Sequence, residues 1–297
     1  MEMQDNHHPH SHTASSLTAM MIVCMLLCSC EFQLPESNKE SVNLISIGLS
    51  YEGTNANSLG GTINDAAEIF QAFELLYGDS IVCSSLLTDK QATKDTVKET
   101  IRSLPEAELT ILFYSGHGWT DGSLVLSADP VFLPPAELNP ACLMPVEELL
   151  GLLRELSGRK LLIIDACYSG AFVQDCGGSV SLVGEEEPFR AVCERYFSSF
   201  PNQNSLFVLS CTTADNTGKE SRVWSHKHGY FTKALLDAMG WDHEGALKQR
   251  IGKLTLDGLY LTIKKTQSIA LEGSRGQHPM VFQGADNLVL YQANGNW

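Results

Sequence analysis

The chain has 297 residues, enough to bury a full hydrophobic core in one large domain or two small ones. Hydrophobic residues make up 43% and charged residues 19% of it, as in an ordinary globular protein, and its interior has no apolar run of about 20 residues that could span a membrane. The formal net charge of −15 argues against nucleic acid as a partner, because phosphates need a basic face. The same charge suits cationic substrates, or serves only as a solvated acidic surface.

The first 29 residues are predicted to be a signal peptide of the bacterial lipoprotein type. An apolar run of 11 residues, Leu17 to Leu27, is too short to span a bilayer but has the length of a signal-peptide core. It ends in Leu27-Cys28-Ser29-Cys30, which resembles a lipoprotein cleavage site with Cys30 as the lipidated residue. Residues 30–41 then form a polar tether, and the protein is expected in the cell envelope, held at a membrane by that lipid. Because no Lys or Arg precedes Lys39, an uncleaved signal or a misassigned start is the alternative.

From residue 42 onwards, strand-like and helix-like runs alternate along the chain. Helical spacing of apolar residues predicts helices at 62–77, 92–104, 145–156, 229–239 and 254–270, with Thr62 or Asn64 capping the first. Strands are predicted at 43–49, 81–87, 205–210 and 280–282, with two more that begin at Leu109 and Leu161 and a hairpin around 123–127. This alternation predicts an α/β domain over residues 42–292, with a mostly parallel sheet covered by helices on both faces.

A long segment without a regular pattern interrupts this domain at residues 171–205. It contains Gly177-Gly178, an acidic run and two arginines. A loop of this length inside a compact domain is usually functional or disordered.

Two of the predicted strands end in reactive side chains. The run that begins at Leu109 leads to His117-Gly118, and the run that begins at Leu161 leads to Cys167. Parallel strands that are neighbours would bring both residues to the same edge of the sheet, where α/β folds place their active sites. A thiol beside an imidazole is the minimum apparatus for cysteine nucleophilic catalysis, in which Cys167 attacks a carbonyl and His117 exchanges the proton. The alternative is a buried cysteine and a histidine of the core.

These motifs resemble those of the caspase-like peptidases, and among them the metacaspases and bacterial caspase homologues. Tyr114-Ser-Gly-His117-Gly118 is similar to the histidine motif of the family, and Asp165-Ala-Cys167-Tyr-Ser-Gly170 to the cysteine motif of metacaspases. The separation of about 50 positions is the one known from caspases. Further segments resemble the family in the same order along the chain: Gly61-Thr-Ile-Asn64-Asp65-Ala66, Ser210-Cys211-Thr-Thr-Ala-Asp215, Gly229 to Leu236, and Gln277-His-Pro279.

The resemblance implies a caspase-like fold, with a part like the large subunit up to about residue 175 and a part like the small subunit from 205. It implies a cysteine endopeptidase that cleaves after Arg or Lys through Cys167 and His117. The backbone N–H groups of Gly118 and Cys167 would bind the oxyanion, although Gly118 could also mark only a tight turn. Asp165 would lie at the floor of the substrate pocket, joined by Asp215, because two carboxylates select a cation. For Asp215 a loop cap is the alternative.

The remaining expectations concern processing, cofactors and competing functions. Arg190 and Arg195 make the loop at 171–205 a site for self-cleavage or a plain surface insertion. The sequence requires no cofactor and has no EF-hand spacing, but some members of the family need Ca²⁺, so a calcium requirement is open. The competing functions are a catalytically silent interaction module with a caspase fold and a caspase-fold peptidase of different specificity. The silent module is less favoured because both His117 and Cys167 are present.

Overall fold

The computed structural model describes residues 40–135, 137–169, 206–212, 218, 220, 227–242, 244–247, 252–270, 277, 279–282 and 288–292. All of them belong to one compact unit, Glu36–Trp297. The predicted signal peptide, all but the last two residues of the tether, the loop at 171–205 and Asp215 lie outside the described residues, and the predictions made for them stay predictions. Within the described part of the chain, no helix is long and apolar enough to cross a membrane.

A six-stranded sheet forms the centre of the described structure. Its strands are β1 (Val42–Gly48), β2 (Ile81–Thr88), β3 (Leu109–Ser115), β8 (Arg159–Asp165), β9 (Leu206–Ser210) and β11 (Met280–Phe282), in the spatial order β11-β9-β8-β3-β1-β2. The first five are parallel, and β11 pairs with β9 in the antiparallel sense. The mostly parallel sheet predicted from the sequence is therefore confirmed.

Helices cover both faces of this sheet: α1 (Thr62–Tyr77), α2 (Lys94–Arg102), α3 (Val146–Glu155), α4 (Tyr230–Ala238) and α5 (Leu256–Ala270). Successive side chains of a strand point to opposite faces, so the buried residues of β3 divide between two cores. Leu112 and Tyr114 belong to the core under α2 and α3. Leu109, Ile111 and Phe113 belong to the core under α1, α4 and α5. This burial on both faces explains why the strands are nearly continuous apolar runs.

Three pairs of short strands lie outside the central sheet. They join β4 (Leu124–Val125) to β7 (Leu143–Met144), β5 (Phe132–Leu133) to β6 (Glu137–Leu138), and β10 (Lys253–Thr255) to β12 (Val289–Gln292). The hairpin predicted near residue 123 is present as a turn closed by a bridge between Gly118 and Leu124. Strand β4 follows this turn and pairs with β7 in the antiparallel sense.

Some local predictions differ from the structure. Helix α1 begins after Gly61 without a side-chain cap, so neither Thr62 nor Asn64 caps it. The Thr62 hydroxyl donates to the carbonyl of Leu49 at 2.6 Å instead, tying the helix to the end of β1. Residues 254 and 255 belong to β10, and helix α5 begins at Leu256. Cys83 lies partly exposed on the edge strand β2.

Candidate active site at the carboxyl edge of the sheet

The predicted catalytic residues lie at equal distances beyond two neighbouring strands. Strands β3 and β8 pair in parallel with Ser115 opposite Asp165. His117 follows Ser115 by two residues, and Cys167 follows Asp165 by two residues. The two side chains thus leave the same edge of the sheet from adjacent strands.

Gly118 and Cys167 bring these two chain segments into direct backbone contact. A Cβ atom at position 118 would overlap the carbonyl oxygen of Cys167 and would lie 3.3 Å from its amide nitrogen. Position 118 therefore needs a residue without a side chain. This favours the close approach of two backbones, and not a tight turn alone, as the reason for the glycine. The structure therefore brings Gly118 against the backbone of Cys167, and the catalytic roles of His117 and Cys167 stay predictions.

The His117 imidazole is held by a backbone carbonyl that sequence reasoning missed. Its Nε2 lies 2.7 Å from the carbonyl oxygen of Asn57. A carbonyl oxygen can only accept, so Nε2 carries a proton, and in the neutral ring Nδ1 has the free lone pair. Nδ1 is consequently the nitrogen that can exchange a proton with a thiol or a leaving group.

Two buried tyrosines fix the backbone of His117. The His117 N–H donates to the Tyr51 hydroxyl at 2.9 Å, and the Tyr114 hydroxyl donates to the His117 carbonyl at 2.8 Å. The ring of Tyr51 also lies 4.5 Å from the imidazole, centroid to centroid. Burial raises the pKa of both phenols, so they remain neutral hydrogen-bonding groups. Position 117 is thereby held through its ring and its backbone.

The environment of the Cys167 thiol favours its protonated form. Burial raises the pKa of Cys167, a hydrogen bond with the backbone of Gly218 opposes that rise, and the charges of Asp165 and Glu220 add to it. A raised thiol pKa means that little thiolate is present at neutral pH. A thiol in this environment would need a base to remove its proton before it could act as a nucleophile.

Asp165, predicted to form the floor of a substrate pocket, is buried against the start of helix α4. Its Oδ2 accepts hydrogen bonds from the Thr232 amide at 3.2 Å and from the Thr232 hydroxyl at 2.7 Å. It therefore caps this helix, whose N-cap residue Gly229 has no side chain. A Cβ at position 229 would overlap Oδ2, so Gly229 packs directly on the carboxylate. Burial and the charge of Asp65 raise the pKa of Asp165 to about 7.

A second buried carboxylate, Asp65 on α1, lies on the other side of Gly229. It accepts hydrogen bonds from the Ser115 hydroxyl at 2.8 Å, His228 Nδ1 at 2.8 Å and the Gly229 amide at 3.2 Å. Burial raises the pKa of Asp65, while the hydrogen bonds with His228, Ser115 and Gly229 and the charge of His228 oppose that rise. The sequence motif around Asp65 was noticed, but nothing in it revealed a partner 163 positions away.

His228 is the internal countercharge of this acidic cluster. Besides Asp65 it faces Glu68, with Nε2 3.3 Å from Oε1, and Glu68 also accepts a hydrogen bond from the Trp241 indole at 2.6 Å. Burial would lower the pKa of His228, but the hydrogen bonds and charges of Asp65 and Glu68 outweigh it and raise that pKa to about 9. The histidine is therefore a cation at neutral pH.

No cluster of three or more His, Cys, Asp or Glu side chains suited to a metal ion occurs among the described residues. Asp65 and Asp165 face protein donors, as shown above. The question of a Ca²⁺ requirement stays open, as the sequence left it.

Comparison with known proteins gives the family of the chain. A family model described as the caspase domain matches residues 44–266. The chain belongs to this family of caspase-like peptidases, and its fold is the caspase-like α/β fold. Among the solved structures, protein GSU0716 from Geobacter sulfurreducens matches with a TM-score of 0.49 and 18% sequence identity, over 82% of this chain and 93% of that chain. No curated protein matches.

The pairing of His228 with Asp65 predicts a specific dependence of stability on pH. A histidine whose pKa is about 9 in the folded state and 6.5 in the unfolded state contributes stability that is complete below pH 6.5. This contribution, on the order of 1–3 kcal/mol, is lost as the pH rises through 9. We expect urea unfolding between pH 6 and 10 to show the wild type losing its advantage over His228→Gln across this window.

A difference between the two proteins that stays constant with pH would contradict this account. The ring pKa of His228, measured by NMR in the wild type, gives a second test that needs no variant. A value near 6.5 would equally contradict it.

Proposed function

We propose that the protein is a cysteine endopeptidase that cleaves peptide bonds after Arg or Lys, with Cys167 as nucleophile and His117 as general base and acid. Its membership in the caspase-domain family supports peptidase activity. The observation that carries the proposal is the contact of Gly118 with the backbone of Cys167 at the edge where β3 and β8 end.

In the proposed reaction, His117 Nδ1 takes the proton of the Cys167 thiol as sulfur attacks the scissile carbonyl. The tetrahedral oxyanion is stabilised by the N–H groups of Gly118 and Cys167. Collapse breaks the C–N bond, and the imidazolium gives its proton to the leaving amine. Water, activated by the same Nδ1, then hydrolyses the thioester and restores the thiol. The Asn57 carbonyl keeps Nδ1 free for each of these transfers.

The proposed preference for Arg or Lys depends on Asp165, with Asp215 as the second carboxylate of the pocket. Asp165 lies two residues before the nucleophile and lacks a basic partner among its described hydrogen bonds. Its pKa of about 7 means that it ionises near neutral pH. A cation brought by the substrate would favour the ionised form, because an opposite charge lowers the pKa of a carboxyl. A substrate with Asp at this position would instead meet a like charge.

We also propose that the mature protein is a lipoprotein of the cell envelope, anchored through Cys30 and acting on protein or peptide substrates outside the cytoplasm. The sequence Leu27-Cys28-Ser29-Cys30 supports this. Reporter assays with and without Ca²⁺ decide whether this member of the family needs the ion.

Replacing either member of the dyad should remove peptidase activity. We expect Cys167→Ala and His117→Ala each to lower kcat/KM on an Arg-ending fluorogenic peptide by about three orders of magnitude or more. The double variant should be no worse than either single one, because the two residues act as a unit. Cys83→Ala, which changes a partly exposed cysteine on β2, is the matched control and should stay active.

Losses that multiply in the double variant would contradict a dyad. Near-normal activity of Cys167→Ala would exclude it as nucleophile. A folded wild type that cleaves no reporter of an Arg, Lys, Asp and Leu panel would favour the silent interaction module.

Specificity should change when the charge of Asp165 is removed. Asp165→Asn keeps an oxygen for Thr232 but loses the charge, so kcat/KM on Arg and Lys reporters should fall at least about tenfold, with less effect on Leu. In the wild type, the ratio of kcat/KM on Arg to that on Leu should rise as the pH passes through about 7, because ionised Asp165 binds the cation. This rise should vanish in Asp165→Asn. The control Asp237→Asn, on the exposed side of α4, should behave as wild type.

An Asp165→Asn variant with unchanged Arg preference, or a wild type that prefers Asp, would contradict the basic specificity. The cysteine-peptidase proposal would be unaffected by either result.

Membrane association should depend on Cys30. In a bacterial host, we expect the wild type to fractionate with membranes and Cys30→Ser to appear in the soluble fraction, because the lipid on Cys30 would be the anchor. Cys28→Ser is the control and should stay with membranes. Cys30→Ser that still sediments with membranes would contradict lipidation at this position.

A further inference from the structure

Glu220 binds the loop that follows β1 through both of its carboxylate oxygens. Oε1 accepts a hydrogen bond from the Gly61 amide and Oε2 from the Gly60 amide, each at 3.1 Å. A carboxylate has an acceptor for each of two neighbouring N–H groups, whereas an amide side chain offers one oxygen and brings a donor against the second N–H. The chemistry of this contact therefore favours Glu over Gln.

The loop that Glu220 binds, residues 49–61, is the one that orients His117. Its Asn57 carbonyl accepts the Nε2 proton of the imidazole at 2.7 Å. The Leu59 amide donates to the carbonyl of Ser50 at 2.9 Å, which closes the loop at its base. Two consecutive glycines, at 60 and 61, join this loop to α1, and glycines give the backbone large conformational freedom. The carboxylate holds the loop at this flexible point, three residues from Asn57.

The same short stretch of chain reaches the other half of the dyad. The backbone of Gly218, two residues before Glu220, hydrogen-bonds to the Cys167 thiol. A Cβ at position 218 would lie 3.6 Å from the Cys167 amide nitrogen and 3.3 Å from Cys211 Sγ, so Gly218 packs against the backbone that carries the nucleophile. Residues 218 and 220 thus contact the thiol on one side and the histidine loop on the other.

We propose that Glu220 is a positioning residue of the peptidase, which keeps the His117 imidazole aligned with Cys167 by fixing the loop 49–61. The inference rests on the proposed function, because it concerns the alignment of that dyad. It adds a residue distant in sequence from both motifs and in contact with neither reacting atom.

A variant of Glu220 would have two opposite effects on the proposed catalysis. It would remove a negative charge that disfavours the Cys167 thiolate, and it would release the loop that orients His117. The negative charge adds to the rise of the Cys167 pKa, and Asp165 at the end of β8 acts in the same direction. Within the described part of the chain, the buried Cys211 after β9 also interacts with the thiol, and His117 follows the neighbouring strand β3. The side chain of Lys227 also lies close to Gly60, with Nζ 3.5 Å from where a Cβ at position 60 would be. Removing the charge should therefore make the thiol more acidic while loosening the loop.

The test compares Glu220→Gln with Glu220→Asp and with Glu52→Gln, an exposed carboxylate of the same loop. We expect Glu220→Gln to lower kcat on an Arg reporter about tenfold or more with a smaller change in KM, and Glu220→Asp to lie between it and the wild type. The rate at which iodoacetamide alkylates Cys167 can be measured by mass spectrometry at a series of pH values. The midpoint of this pH profile should lie at lower pH in Glu220→Gln than in the wild type. Glu52→Gln should change neither quantity.

An unchanged kcat in Glu220→Gln would overturn the proposal. A second result would also overturn it: kcat falls, the alkylation midpoint stays where it is in the wild type, and the melting temperature of the variant falls as well. This combination is the pattern of a structural role.

Nitrogen-15 NMR of the His117 ring tests the alignment without peptidase activity. The wild type should show a proton fixed on Nε2, and Glu220→Gln a mixture of the two tautomers. A wild type that cleaves nothing but shows this NMR difference would refute the proposed function and keep the positioning role. An Nε2 proton equally fixed in both proteins would overturn the positioning role.

Discussion

Strands β3 and β8 run parallel with Ser115 opposite Asp165, and this register fixes the geometry of the whole site. His117 and Cys167 each lie two residues beyond that pair, and Gly118 lies against the backbone of Cys167, the proposed nucleophile. A slip of one residue would turn every side chain of a strand to the opposite face. Because both strands bury apolar residues on both faces, such a slip would disturb two cores at once. The hydrophobic packing of the sheet therefore sets the alignment of the reactive groups.

Negative charge beneath this edge shapes the chemistry proposed for it. Asp65 and Asp165 are both buried beside Gly229, and the start of α4 donates to both of them. His228 balances Asp65, whereas Asp165 has hydrogen bonds but no cation among its described partners and a pKa of about 7. A basic substrate side chain would supply that cation. Burial raises the pKa of the Cys167 thiol and the charge of Asp165 adds to that rise, so the proposed catalysis would depend on proton removal by His117 more than on a preformed thiolate.

The sequence predicted what long apolar runs and local motifs encode. Strands β3 and β8 and the residues His117, Gly118 and Cys167 at their ends could be located because buried parallel strands are continuous apolar segments. The contacts around them could not. The carbonyl of Asn57 is a backbone atom that any residue supplies, and Asp65 and His228 are 163 positions apart. Thr62 resembled a helix cap, but the structure uses its hydroxyl to bind Leu49. Burial of Asp165 under Thr232 likewise depends on tertiary packing.

The most direct measurement is the mass spectrum of the protein after reaction with an irreversible peptide probe that ends in Arg and carries a thiol-reactive ketone. We expect a single adduct on Cys167 in the wild type, formed much more slowly in His117→Ala and with a matched probe ending in Asp. The probe should leave the partly exposed Cys83 unmodified. An adduct on another cysteine, or a folded wild type that reacts equally with both probes and independently of His117, would contradict the account.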